Sequence, residues 1–104
     1  MLVLHLLSGG ERYGYELTTL LEERTGGEFA VTGGTLYPVL YRLEDAGHVE
    51  PRWQTPDRGS PRKYYRLTRE GAEELERLTG EWRAFTGAVE RLLADPHRDQ
   101  GDDG

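Results

Sequence analysis

The chain has 104 residues, 36% of them hydrophobic and 31% charged, and a formal net charge of -6. That is one lean domain, for which a second copy of the chain is a natural source of extra buried surface. It has no cysteine, which excludes a disulfide scaffold, a thiolate metal site and a cysteine nucleophile.

The apolar opening from Leu2 to Leu7 is far short of the about 20 residues needed to span a bilayer. It also lacks the basic start and small-residue cleavage site of a secretory signal. No membrane association is expected, and the absence of cysteine fits a reducing cytoplasm. Residues 1–8 are predicted as a short helix, broken by Ser8-Gly9-Gly10. Tyr13, Leu17, Leu20 and Leu21 give a second helix over residues 13–24, ended by Thr25-Gly26-Gly27. Phe29 and Val31 alternate over a stretch long enough only for a bridge-length strand. A third helix runs to about Ala46, with Leu36, Val39, Leu40 and Leu43 on one apolar face. Thr35 is its predicted N-cap, because that start keeps Pro38 in the first turn, where its missing N–H costs little. Gly47 then provides a left-handed C-terminal cap.

Residues 48–54 and 62–67 are predicted as the strands of a hairpin, with the turn-rich residues 55–61 between them. Val49, Pro51 and Trp53 share one face of the first strand, Tyr65 and Leu67 one face of the second. Pro51 cannot donate to a ladder, so the first strand belongs at an edge or starts late. Thr68 is a good N-cap for a last helix reaching about Ala94, stopped by Asp95-Pro96. Along it Leu75, Leu78, Trp82, Phe85, Val89 and Leu92 recur at alternating intervals of three and four, a heptad seam. Residues 96–104 have no apolar side chain and are predicted to be a disordered acidic tail.

Catalysis has little to stand on. His5, His48 and His97 show no metal-ligand spacing, and Ser8 and Ser60 lie in turns without a nucleophile elbow. The paired glycines match neither a P-loop nor a dinucleotide fingerprint. No enzyme activity, metal or cofactor is expected. The charge is uneven, with six basic residues against one acidic over residues 51–69. Two helices joined through a glycine-containing turn, then a basic hairpin, describe a winged helix-turn-helix: a mainly α fold with a small β-hairpin wing and a long C-terminal helix. Its third helix would enter a major groove of double-stranded DNA. The face opposite the core carries Tyr37, Pro38, Tyr41, Arg42 and Asp45. The DNA-binding candidates are Thr35, Tyr37, Tyr41 and Arg42 on this helix and Arg58, Arg62 and Lys63 on the hairpin. For Tyr37 and Tyr41 the alternative is packing under the hairpin; for the tip it is charge that only keeps a loop solvated. Arg66 and Arg69 are expected to pair with local carboxylates. A second possibility is a winged helix that binds protein and never DNA, which has no need of a one-sided set of basic residues.

These pieces resemble the PadR family of transcriptional regulators. The similarity rests on Gly14-Tyr15-Glu16-Leu17, on the run from Gly34 through Leu36-Tyr37-Pro38 to Glu44, and on Arg62-Lys63-Tyr64-Tyr65-Arg66-Leu67-Thr68 with Gly71 after it. It covers most of residues 2–85. The resemblance implies a bacterial homodimeric repressor on a palindromic operator. Residues 1–68 would form the DNA-binding head and residues 69–95 a dimerisation helix, with Leu78, Trp82, Phe85, Val89 and Leu92 at the interface. It maps DNA contact onto Tyr37, Arg42, Arg62 and Lys63. A single helix after the wing is similar to the short-tailed branch, some members of which bind flat aromatic compounds between paired tryptophans. Trp82 holds the matching position, and neighbouring Glu81 is expected to favour a cationic ligand there.

Overall fold

The apolar residues that recur at helical spacing fold inward together. In the computed structural model, which describes residues 1–95, the elements are α1 (Leu2–Leu7), β1 (Arg12–Tyr13), α2 (Gly14–Arg24), α3 (Gly33–Asp45), β2 (Val49–Gln54), β3 (Arg62–Leu67) and α4 (Arg69–Ala94). The predicted tail, residues 96–104, lies outside the described residues. The core joins Val3, Leu4, Leu6 and Leu7 of α1 to Leu17 and Leu21 of α2, Leu36 and Leu40 of α3, Val49 and Tyr65. Val39, Leu43, Leu67, Leu75 and Leu78 close over it, partly buried. Burying such side chains is worth about 1.5–3 kcal/mol each and supplies most of the cohesion of a head this small. Among the described residues no helix is long and apolar enough to cross a membrane.

The hairpin forms as its turn residues and alternation predict, and it gains a third strand. The sheet order is β1-β3-β2, antiparallel throughout, with Arg12 opposite Tyr65 and Pro51 opposite Tyr65 from the other side. Pro51 therefore sits on an edge strand, where its missing donor breaks no outer ladder. The register puts Val49, Pro51 and Trp53 on one face with Lys63, Tyr65 and Leu67.

Two local expectations fail. No strand forms over residues 29–31. Instead the Phe29 N–H donates to the Thr25 hydroxyl at 3.0 Å, and Phe29 stays exposed while Val31 packs partly against the core. The strand that does form is β1, which finds its partner in β3. The second miss is the start of α3. Thr32, not Thr35, is the N-cap, and the Leu36 N–H already donates to the Thr32 carbonyl at 2.9 Å. Pro38 thus lies inside the helix and cannot donate to the Gly34 carbonyl. Both Gly34 and Pro38 are exposed, so water can serve that carbonyl.

The other two predicted caps hold. Gly47 has φ 78, its N–H donates to Glu44 and the His48 N–H to Leu43, a Schellman closure of α3. The Thr68 hydroxyl accepts from the Gly71 N–H at 3.0 Å and donates to the Gly47 carbonyl at 2.6 Å. One side chain thereby starts α4 and ties it to the end of α3.

Candidate nucleic-acid interface

α3 places its residues on distinct flanks. Leu36 and Leu40 point into the core, so Tyr37 and Tyr41, one residue further on, emerge beside them at 39% and 52% exposure. Their rings lie 6.2 Å apart. Tyr37 rests over Gly14, where α2 begins; a Cβ there would lie 2.8 Å from its ring. The ring is therefore packed on one side and open on the other. Arg42 is exposed in the last turn. Thr35 is also exposed, yet it borders a separate apolar hollow with Leu2, Phe29 and Val39, on another flank from the tyrosines.

Wing and helix meet around a cleft of about 660 Å³ whose walls include Tyr37, Tyr41, Trp53, Arg62, Lys63 and Tyr65. The edge of α2 completes it through Tyr13, Gly14 and Tyr15. Trp53 is 64% exposed, a wing residue that sequence reasoning did not assign to the site.

The ion pairs sort the basic residues. Arg52 bonds Glu11 at 2.5 Å and 2.7 Å, Arg66 pairs with Glu50, and Arg69 lies 3.7 Å from Glu73. Arg66 and Arg69 thus pair locally, as expected. Lys63 differs from its hairpin neighbours. Its ammonium lies 3.4 Å from Glu44 Oε1 on α3, between the rings of Tyr41 and Tyr65. Burial works against its charge, but Tyr65 and Glu44 outweigh that and hold its pKa above the ordinary lysine value. Burial pushes the Tyr65 phenol up. Glu44 and Tyr65 were absent from the expected site. Strand alternation puts Tyr65 on the inward face with Lys63 and Val49, whereas Glu44, on α3, has no signal in the sequence. Arg62 stays exposed, with its guanidinium 4.8 Å from the Tyr13 ring centre. Among the described residues Arg42, Arg58 and Arg62 carry no carboxylate partner, so all three keep an unanswered positive charge.

The last helix divides. Leu75 and Leu78 pack on their own head, so Leu78 is partly used within the chain. Beyond them Trp82, Phe85 and Leu92 are 53%, 62% and 73% exposed, and Val89 is half-buried. The Trp82 and Phe85 rings sit 6.2 Å apart. Glu81, expected to add negative charge beside Trp82, is bonded to Arg77 at 2.8 Å. Arg77 also bonds Glu74, so one guanidinium is shared between two carboxylates and the group keeps a net negative charge.

The profile of the transcriptional regulator PadR-like family matches residues 3–77. An uncharacterized protein of Lysinibacillus sphaericus is 37% identical over 81 residues, 78% of this chain and 74% of that one. The crystal structure of a PadR family transcription regulator from Clostridium difficile superposes with a TM-score of 0.79 at 33% identity, covering 88% of this chain and 94% of that one. Bacillus subtilis PadR, a negative transcriptional regulator solved in complex with operator DNA, superposes with a TM-score of 0.68 at 31% identity, over 75% of this chain and 43% of that one.

Proposed function

The chain belongs to the PadR-like family of transcriptional regulators, whose members are not enzymes, and from that premise we propose that it is a cytoplasmic repressor binding a palindromic operator as a homodimer. The observation that carries this reading is the convergence of α3 and wing: Tyr37, Tyr41 and Arg62 line one cleft, with Arg42 and Arg58 exposed and without a carboxylate partner among the described residues. Tyr37, Tyr41 and Arg42 enter the major groove, Thr35 approaches the backbone from the start of α3, and Arg58 and Arg62 grip phosphates, with Lys63 behind them. The operator complex of Bacillus subtilis PadR supports the same use of the fold. Two heads related by a two-fold axis read half-sites roughly 34–36 Å apart. A planar aromatic ligand between two copies of Trp82 relieves repression by changing the angle between the helices that carry the heads.

The test is binding to a duplex recovered by selection from a random pool. Each phosphate neutralised adds about -0.9 to the slope of log K against log salt, so Arg62→Ala in both protomers should flatten it by about 1.8. Arg42→Ala should relax discrimination at one base position by about 1–3 kcal/mol if the arginine reads a base edge. A wild-type protein that recovers no duplex and shows no salt-dependent binding would instead favour the protein-binding module. For the effector, Trp53→Phe isolates Trp82 fluorescence. A planar aromatic dye should quench it and release the duplex; the absence of both effects makes Trp82 packing alone.

A further inference from the structure

The wing touches α3 through one polar contact that the DNA-binding reading leaves unused. Glu44 Oε1 and the Tyr65 hydroxyl are buried oxygens without a well-formed hydrogen bond among the described residues. Both interact with the Lys63 ammonium. That ammonium lies 5.6 Å from the Tyr41 ring centre and 5.3 Å from that of Tyr65. The Lys63 side chain is only 26% exposed, although its chain neighbour Arg62 is exposed.

We propose that Lys63 is a positioning residue that latches the wing to the recognition helix through Glu44 and sets the Tyr41 ring, and is not a phosphate ligand; this rests on the DNA-binding reading above. The first reason is charge. Lys63 and Glu44 together are neutral, so the pair draws little from the counterion layer of DNA, while Arg42, Arg58 and Arg62 keep their full charge. The second is connectivity. Glu44 is on the last turn of α3, one turn after Tyr41, and Lys63 is on β3, directly opposite Trp53. One ion pair therefore adds a polar tie, beside the apolar packing of Leu40, Val49 and Tyr65, between the helix that enters the groove and the strand that carries Arg62. The third is the cost of breaking it. Without Lys63, Glu44 keeps a half-buried carboxylate with no partner, and it would relieve this by turning out to solvent and pushing the wing away. A phosphate ligand would behave differently, since its loss removes attraction and leaves nothing behind that a second change could mend.

The measurement is fluorescence anisotropy of a labelled mixed-sequence duplex over a range of salt, with wild type, Arg62→Ala, Lys63→Met, Glu44→Gln and the Lys63→Met/Glu44→Gln pair. Methionine keeps the length and apolar stem of Lys63 between the two rings. Lys63→Met should weaken binding about tenfold, and the Lys63→Met/Glu44→Gln pair, neutral like the wild-type pair, should keep the wild-type salt slope. Adding Glu44→Gln should recover most of that loss, whereas Glu44→Gln alone should not tighten binding. Arg62→Ala should flatten the slope by about 1.8 in the same series. The proposal is overturned if the Lys63→Met/Glu44→Gln pair flattens the slope as Arg62→Ala does, or if Glu44→Gln acts identically with and without Lys63. If wild type ignores the duplex, the DNA-binding reading fails, and the latch is still read in the free protein. There the Lys63 side-chain nitrogen resonance should move on Glu44→Gln, and an unmoved resonance overturns it.

Discussion

Gly14 and Gly71 are both buried next to larger groups, and the kind of neighbour decides what a methyl would do at each. A Cβ on Gly71 would collide with the His48 carbonyl oxygen and stand 2.8 Å from its carbonyl carbon. That is backbone, pinned by the Thr68 N–H at 3.1 Å and unable to swing aside. A Cβ on Gly14 would meet the hydroxyl end of Tyr37, with its ring carbon at 2.8 Å. Tyr37 is 39% exposed and can rotate away. Both glycines are in first turns of helices, where alanine returns up to about 1 kcal/mol of propensity. Gly14→Ala should therefore leave stability within about 1 kcal/mol yet displace Tyr37 and weaken DNA binding. Gly71→Ala should cost about 3 kcal/mol or more in urea unfolding. Equal losses for the two would contradict this. The resemblance includes both glycines, but only the packing separates a glycine that seats the Tyr37 ring from one that lets α4 cross the end of α3.

At the scale of elements, legibility followed how local each cause was. The hairpin, the edge position of Pro51, the Gly47 cap and the Thr68 cap depend on a few consecutive residues, and they stand where the sequence places them. β1 has two residues and no periodicity; it exists because β3 offers an open edge. The start of α3 lies earlier than Pro38 alone suggests, because the Gly34 carbonyl that Pro38 leaves unbonded is exposed to water. The site was legible in the same measure: its exposed arginines and tyrosines could be read off the chain, while Glu44 and Tyr65 needed the contact between strand and helix. The small sheet has its own clasp, since Glu11, just before β1, bonds Arg52 on β2 across β3. The hydrogen bonds from Arg52 hold the Glu11 carboxyl below its ordinary pKa. A carboxylate shifted that way stabilises the fold above the ordinary Glu value, about 4.3, and loses the contribution as pH falls through its folded value. Wild type should thus unfold at higher urea than Glu11→Gln near neutral pH, and the two midpoints should converge as the pH drops below about 4. A gap that stays constant with pH would assign the difference to packing instead.

At the scale of the whole molecule, α4 has two apolar halves in different surroundings. Its 26 residues span about 39 Å, and only the proximal seam has a head to cover. Leu75 and Leu78 take that cover. Trp82, Phe85 and Leu92 continue the same seam into solvent, a contiguous apolar stripe of the kind that marks an association surface. The flanks are charged, with Arg77 bonded to both Glu74 and Glu81, so the stripe has the polar borders of a helix meant to pair along one side. The expected partner is the same half of a second copy, with Trp82 close to the axis. Phe85→Glu with Val89→Glu would put four carboxylates into that dimer seam, where unpaired charge costs several kcal/mol each. Sedimentation equilibrium should then find monomers in place of dimers. Because the head core lies in α1 to α3 and the sheet, the monomer should keep its helical circular dichroism over the head. It should also bind a single half-site duplex nearly as well as wild type while losing the gain that a correctly spaced pair of half-sites provides. A variant that remains dimeric would place the interface elsewhere, and one that loses single-site binding as well would mean that the head cannot hold its shape without its partner.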